Sequence, residues 1–447
     1  MEQTAPPLFT RKDLIRLILP LVIEQILAVT IGMADSVMVS SVGEAAVSGV
    51  SLVDSVNILF INIFSALATG GAVIASQYIG RQDVKSACSA AKQLLYATTA
   101  MATAIMALAL VFQRPVLKIF GDVEADVYAN CQTYLVLSTL SYPFLAAYNA
   151  GAALFRAMGN SKVSMLTSLL MNIINICGNA ITIYGLHWGV AGAATASLLS
   201  RAVGAGIMVV LLQNRRSLIH IERLFHPELK FGMIRSILKI GIPNGLENGM
   251  FQIGKILVAS LVASFGTAAI AANAVSNNIA SIEVLPGSAI GLAMITVVGR
   301  CVGAQDYAQA KRYAWKLMAI THLSMGMICT AMFFLTPTAV GLFHLSQETM
   351  DMAVEILQVY AICTIFLWPP SFTLPNALRA SNDVRFTMVV SIVSMWVCRI
   401  GLSYVFGQWL EMGLMGVWIA MICDWIVRDA CFLWRFFSGK WKNRQVI

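Results

Sequence analysis

IGRQD, residues 79–83, comes back 223 positions later as VGAQD, residues 302–306, in a chain of 447 residues. The same offset carries Pro20 to Pro243, Glu24 to Glu247, Gly43 to Gly266, Ser65 to Ser288, Gly80 to Gly303, Ala87 to Ala310, Phe120 to Phe343 and Arg156 to Arg379. A single register held this far without a gap marks a unit that was duplicated and then specialised in each copy.

The solvent of that unit follows from composition. Hydrophobic residues make up 58% of the chain and charged residues 12%, with a mean hydropathy of +0.76. That is more apolar surface than a soluble core can hide, so lipid is the expected solvent. Backbone groups in lipid must be satisfied internally, which leaves helices or closed barrels. The apolar stretches run about 20 residues without strand-like alternation, the length of a membrane-crossing helix.

Such stretches fall near 14–39, 48–76, 92–112, 130–153, 163–184 and 190–212, and again near 236–263, 268–298, 314–335, 353–376, 386–407 and 413–436. The expected fold is an all-α integral membrane protein with twelve transmembrane helices in two six-helix repeats. An even number of crossings per repeat makes the copies parallel, related by an axis along the membrane normal. Residues 1–213 are expected to form the first lobe, 214–232 a polar cytoplasmic linker, and 233–447 the second lobe. Within the linker, IHIERLF (219–225) reads either as a short surface helix or as a solvated connector.

Lys and Arg collect on alternate loops. Arg11, Lys12, Arg81, Lys85, Arg156, Lys162, Arg300 and Lys311 fall on one side, against Arg114 and Lys118 on the other. This bias places both termini in the cytoplasm and accounts for the net charge of +8 without a nucleic-acid surface. MEQTAPPLFTRKD at the start has no apolar core, so a cleaved signal peptide is not expected.

Chemistry of the enzymatic kind finds no motif. The nine cysteines stand singly without a CxxC pair, and HExxH, GxxxxGK[ST] and GxSxG are all missing. The reading is therefore a non-enzyme without a cofactor or a resident metal. GIPNG (241–245), GLENG (245–249) and GSAIG (287–291) are small-xxx-small patterns that let helices approach closely. Pro20, Pro243, Pro369 and Pro370 are the expected helix bends, because proline removes a backbone hydrogen bond.

These residues resemble the multidrug and toxic compound extrusion (MATE) family of transporters. The resemblance runs through MADSVMVSSVGEAAVSGV (33–50), IGRQD, FRAMGNSK (155–162) and GVAGAATAS (189–197) in the first half. GIPNGLEN (241–248), SFGTAAIAANAVSNNI (264–279), VGAQD and LRASND (378–383) carry it in the second. It implies two lobes forming a V-shaped central cleft in the inner membrane. It also implies export of amphipathic, cationic organic compounds or drugs in exchange for H+ or Na+ by alternating access, in a monomer partnered by its small-molecule substrate and the bilayer. Two other readings stand beside it: a lipid-linked oligosaccharide flippase of the same superfamily, disfavoured by the acidic excess, and a membrane enzyme or scaffold, which would need a reactive constellation.

Ionisable groups inside apolar spans are costly and mark function or pairing. Glu24, Asp35, Asp54, Glu247, Glu283 and Asp424 are the acids well inside spans, with Arg201, Lys255 and Arg399 as bases. The repeat sorts them. Glu24 matches Glu247, four residues after a proline in each copy, so shared architecture can account for both. Asp35 faces Val258 instead, Asp54 faces Asn277, Lys255 faces Gly32 and Glu283 faces Phe60. Differences between copies mark specialisation, which makes Asp35 the sharpest candidate. A carboxylate there can take and release a proton, or supply hard oxygen to a transient Na+.

In the resembled family the first-helix acid couples transport to the ion, which here implies Asp35 with Asn175, Asn179 and Thr195 around it. Many relatives hold an acid where this chain has Asn179, so a paired-acid relay is not carried over. Glu24, Asp54, Glu247, Lys255 and Glu283 are the remaining candidates for a substrate or cation cleft. Glu24 lies eleven residues before Asp35, roughly 16 Å along a helix, too far for a direct pair. Arg201, Arg399, Asp424, Arg428 and Asp429 read as groups that satisfy one another or reach the cytoplasmic interface.

Overall fold

The computed structural model describes residues 6–118, 124–224, 226, 228–343 and 345–442; Phe120 and Phe225 lie outside them. Helices account for every regular element among the described residues. The first unit, Phe9–Gly245, holds α1 (Arg11–Ser40), α2 (Glu44–Gly80), α3 (Val84–Val111), α4 (Gln113–Lys118), α5 (Ala125–Leu140), α6 (Tyr142–Ala157), α7 (Ser161–Asn179) and α8 (Gly189–Leu212). A long helix, α9 (Phe231–Ala263), begins in this unit and ends in the next.

The second unit, Leu246–Val446 with the described residues up to Leu8, continues with α10 (Thr267–Glu283), α11 (Leu285–Gly303), α12 (Tyr307–Gly341) and α13 (Gln347–Trp368). It closes with α14 (Leu374–Ala380), α15 (Val384–Ser394), α16 (Leu402–Tyr404) and α17 (Gly413–Phe437). The boundary between units lies inside α9, between Gly245 and Leu246. Close packing ties the first half of α9 to α2. A Cβ on Gly70 would sit 2.7 Å from the Ile237 carbonyl oxygen and 2.9 Å from the Gly241 nitrogen. The glycines of GIPNG therefore act as packing residues, bringing two backbones together as small residues do in lipid.

Nine helical segments among the described residues are long and apolar enough to cross a membrane. The span expected near 130–153 is broken at Ser141 into α5 and α6, and the one near 268–298 is broken at Val284 into α10 and α11. In both cases a proline follows within the first turn of the new helix, where its missing N–H costs nothing. Across α17, Asp424, Arg428, Asp429 and Arg435 dilute the apolar run. Large apolar side chains such as Leu323, Met327 and Phe334 of α12 point outward, which is stable only against lipid.

The duplication is written in the backbone as well. Gly43 and Gly266 cap α2 and α10 at φ +134° and +98°, and Gln82 and Gln305 turn at φ +62° and +58°. The Asp83 carboxylate accepts the Ser86 amide at 3.0 Å, and that of Asp306 accepts the Gln309 amide at 2.8 Å, capping α3 and α12.

Helices α1 and α9 run on through Pro20 and Pro243, whereas Pro369 and Pro370 open a π-helical stretch, Pro369–Thr373. The described residues of 214–230 form no helix, so the connector reading holds there. They are nevertheless pinned to the first unit: Ile219 and Ile221 are buried, and Gln93 of α3 donates to the Glu228 carbonyl at 2.7 Å. All nine cysteines are free thiols.

Candidate functional site

Asp35 lies half-buried on α1. The Asn179 amide, at the end of α7, donates to Asp35 Oδ1 at 2.6 Å and reaches Asn175 Oδ1 at 3.2 Å. Asn175 in turn donates to Ser197 Oγ of α8 at 2.9 Å. The two asparagines are four residues apart and share one helix face. Directly after Asn179 the helix widens into a π-helical stretch, Ala180–Gly185, a distortion often met at functional sites. With its amide hydrogens so used, Asn179 Oδ1 is left buried without a donor. An orphaned carbonyl oxygen in the same network as a carboxylate suits a small cation or a proton carrier.

Asp54 of α2 builds the neighbouring network. Its Oδ1 accepts from the Tyr134 hydroxyl and from Asn57 Nδ2, each at 3.1 Å. Asn57 Oδ1 then accepts from the Tyr142 hydroxyl at 2.7 Å and from Ser138 Oγ at 3.3 Å. Arg201 of α8 donates to Ser141 Oγ at 2.6 Å, at the break between α5 and α6. Its charge acts on both Asp35 and Asp54, and the charge of Asp54 reaches Asp35. One guanidinium therefore acts on two carboxylates.

Asp35, Asn175 and Asn179 come together as the family resemblance implied. Thr195 does not join them: its hydroxyl donates to the Ala191 carbonyl at 2.7 Å, and Ser197 takes the place next to Asn175. Arg201, read from sequence as a structural charge, belongs to the Asp54 side of this network, and Tyr134 and Asn57 were not singled out at all. A single sequence carries no mark telling a tyrosine that faces a carboxylate from one that packs.

Glu24 and Glu247 each meet an arginine. Arg156 Nη1 meets Glu24 Oε1 at 3.2 Å, and Arg379 Nη2 meets Glu247 Oε1 at 2.7 Å. The same pair is thus built twice. Arg379, not named among the candidate residues, is the partner of Glu247. The signal was available, because Arg156 and Arg379 already stood in the repeat register.

Asp424 pairs with Arg428 at 3.0 Å as expected, while Asp429 accepts from Ser371 Oγ at 2.6 Å. Glu283, at the end of α10, has 0% exposure; the Cys329 thiol faces it, and neither of its oxygens meets an N–H or O–H donor among the described residues. Lys255 lines a cavity of the second unit, away from any ion pair among the described residues.

The MatE family model matches residues 20–181 and 243–405, one match in each copy of the repeat. The probable multidrug resistance protein NorM of Thermotoga maritima is 29% identical over 448 residues, covering 98% of this chain and 94% of that protein. The uncharacterized transporter YisQ of Bacillus subtilis is 30% identical over 431 residues, covering 94% and 93%. A crystal structure of MATE in the bent conformation superposes with a TM-score of 0.89 at 21% identity, covering 96% of each chain.

Proposed function

The chain belongs to the MatE family of transporters, and from that premise we propose that it is a secondary efflux antiporter exporting amphipathic organic compounds in exchange for H+ or Na+. It is a multi-pass membrane protein, and in this reading it works as a monomer in the inner membrane with both termini cytoplasmic. It acts by alternating access, with no cofactor beyond its coupling ion and no bond-making chemistry. The observation that carries the reading is the contact of Asp35 with Asn179, which leaves Asn179 Oδ1 buried and unpartnered beside a carboxylate network.

Asp35 is the coupling group in this mechanism. Asn179 holds the carboxylate in place, Asn175 and Ser197 hold Asn179, and Arg201 keeps Asp35 and Asp54 from repelling one another unscreened. Binding of H+ or Na+ removes the negative charge that resists transfer through a low-dielectric interior, so access changes only with the ion aboard. Acids in the first unit also suit cationic or zwitterionic substrates.

The test is reconstitution in liposomes with imposed Na+ or H+ gradients, following a panel of fluorescent cationic compounds. Gradient-driven transport is expected to fall at least a hundredfold in Asp35→Asn. Full transport by a folded Asp35→Asn protein would falsify the coupling role. Absence of transport under either gradient would remove the exporter reading.

A further inference from the structure

The second unit holds a cavity of about 160 Å³ with the opposite charge character. Lys255 of α9 and Arg399, on the π-helical stretch Met395–Gly401, both line it, together with Asn273 and Asn277 of α10 and Trp418 of α17. No carboxylate contributes to its wall. Neither cation is in an ion pair among the described residues. Arg399 stacks on Phe251 at 5.2 Å and feels the charge of Asp424, but Asp424 is already held by Arg428 at 3.0 Å.

One amide, that of Asn273, is arranged to donate, while the Asn277 NH2 is used on Asn273 itself. Asn273 Oδ1 already accepts from Trp418 Nε1 at 3.1 Å and from Asn277 Nδ2 at 3.1 Å, so its own NH2 remains for another acceptor. Two uncompensated cations held at membrane depth are costly unless an anion or water answers them.

An independent observation is the repeat. Val258, the counterpart of Asp35, and Asn277, the counterpart of Asp54, both line this cavity. The place that is acidic in the first unit is therefore basic in the second.

We propose that this cavity is an anion subsite, binding the carboxylate, sulfonate or phosphate end of an amphipathic ligand between Lys255 and Arg399. The indole of Trp418 packs against the ligand's apolar body. The space admits about one aryl ring, by comparison with a benzene-binding cavity of about 150 Å³. This deepens the transport reading by naming the chemistry of one end of a substrate. It rests on that reading only for export, since binding is measured on the resting protein.

The experiment compares three ligands of one shape, 3-phenylpropanoate, 3-phenylpropanamide and 3-phenylpropylamine, on the purified full chain in dodecyl maltoside by saturation-transfer NMR and tryptophan fluorescence. The carboxylate is expected to bind at least tenfold more tightly than the other two. Lys255→Gln and Arg399→Gln are each expected to weaken it about tenfold, and Lys255→Arg to restore it. Lys255→Gln carries the test if Arg399→Gln does not fold, since Lys255 is exposed to the cavity.

Equal binding of all three ligands, preference for the amine, or unchanged carboxylate binding in a folded Lys255→Gln protein overturns the proposal. Competition by added phosphatidylglycerol assigns the anion to a lipid headgroup, and indifference to it assigns a free substrate; either result keeps the subsite. Loss of transport in Asp35→Asn with this binding intact separates failure of coupling from failure of the pocket.

Discussion

Glu24 with Arg156 in the first unit and Glu247 with Arg379 in the second are the same pair built twice, each joining residues 132 positions apart. Elsewhere in the same two units the copies part: Asp35 and Asp54 stand in the first, Val258 and Asn277 in the second, with Lys255 and Arg399 beside them on one cavity wall. What was kept is what each bundle needs in order to stand. What was changed lines the polar interior, where a duplicated scaffold is free to take a different ligand. The contrast also separates two kinds of buried acid that look alike in sequence, one in an ion pair with an arginine and one held by amide and hydroxyl donors.

The largest effect is expected from breaking the shared pair. Replacing Glu24 or Glu247 by alanine takes the carboxylate away from a nearly buried arginine and should cost about 3–5 kcal/mol, read as thermal unfolding in detergent. Combining Glu247→Leu with Arg379→Met should recover most of the loss, because two matched apolar groups remove both charges. The first-unit pair should be the costlier to break. Ser164 also donates to Glu24 Oε2 at 2.7 Å, whereas Glu247 Oε2 has no donor. Loss of stability confined to one unit would show that the pairs are not equivalent.

A smaller effect tests the packing of α2. Gly70→Ala should destabilise by about 1–3 kcal/mol by pushing α2 from α9, although its repeat counterpart is already Ala293. A neutral result would mean that α9 yields easily at that contact. Inverting the polarity of the second unit comes next. Val258→Asp places a carboxylate in the basic cavity and should weaken 3-phenylpropanoate binding about tenfold, or about 1.4 kcal/mol.

The smallest effects belong to the helix caps. Asp83→Ala and Asp306→Ala should each cost about 1 kcal/mol, equally in the two copies. Hydrogen bonds from the Ser86 side chain, then its amide, hold the Asp83 carboxyl below the ordinary carboxylate range. Its contribution is thus fully present above the ordinary value of about 4 and fades as pH falls through the lowered one. Unfolding midpoints of wild type and Asp83→Ala should converge below that range; a constant gap at all pH values would remove the capping carboxylate as the cause.

Much of the fold was legible because membrane burial writes itself into composition. Long apolar runs, the 223-residue offset and the alternation of Lys and Arg are properties of the chain, and lipid solvation turns them into helices whatever the neighbours do. The breaks at Ser141 and Val284 were not read from the sequence, since Pro143 and Pro286 fit the first turn of a new helix as well as a bend within a continuous one. Neither was the boundary at Gly245, which depends on where two backbones touch.

The candidate site divides in the same way. Asp35, Asn175 and Asn179 stood out because polar residues in an apolar span are rare, and periodicity places the two asparagines on one face. Which charge each buried group meets was settled by tertiary structure alone: Arg379 for Glu247, Ser197 rather than Thr195 beside Asn175, and, among the described residues, no carboxylate on the cavity wall of Lys255 and Arg399. The physical reason is one of range. Hydrophobicity and helical period act along the chain and can be read there, whereas a hydrogen bond or ion pair is decided within about 3 Å, by helices that sequence separates by a hundred residues or more.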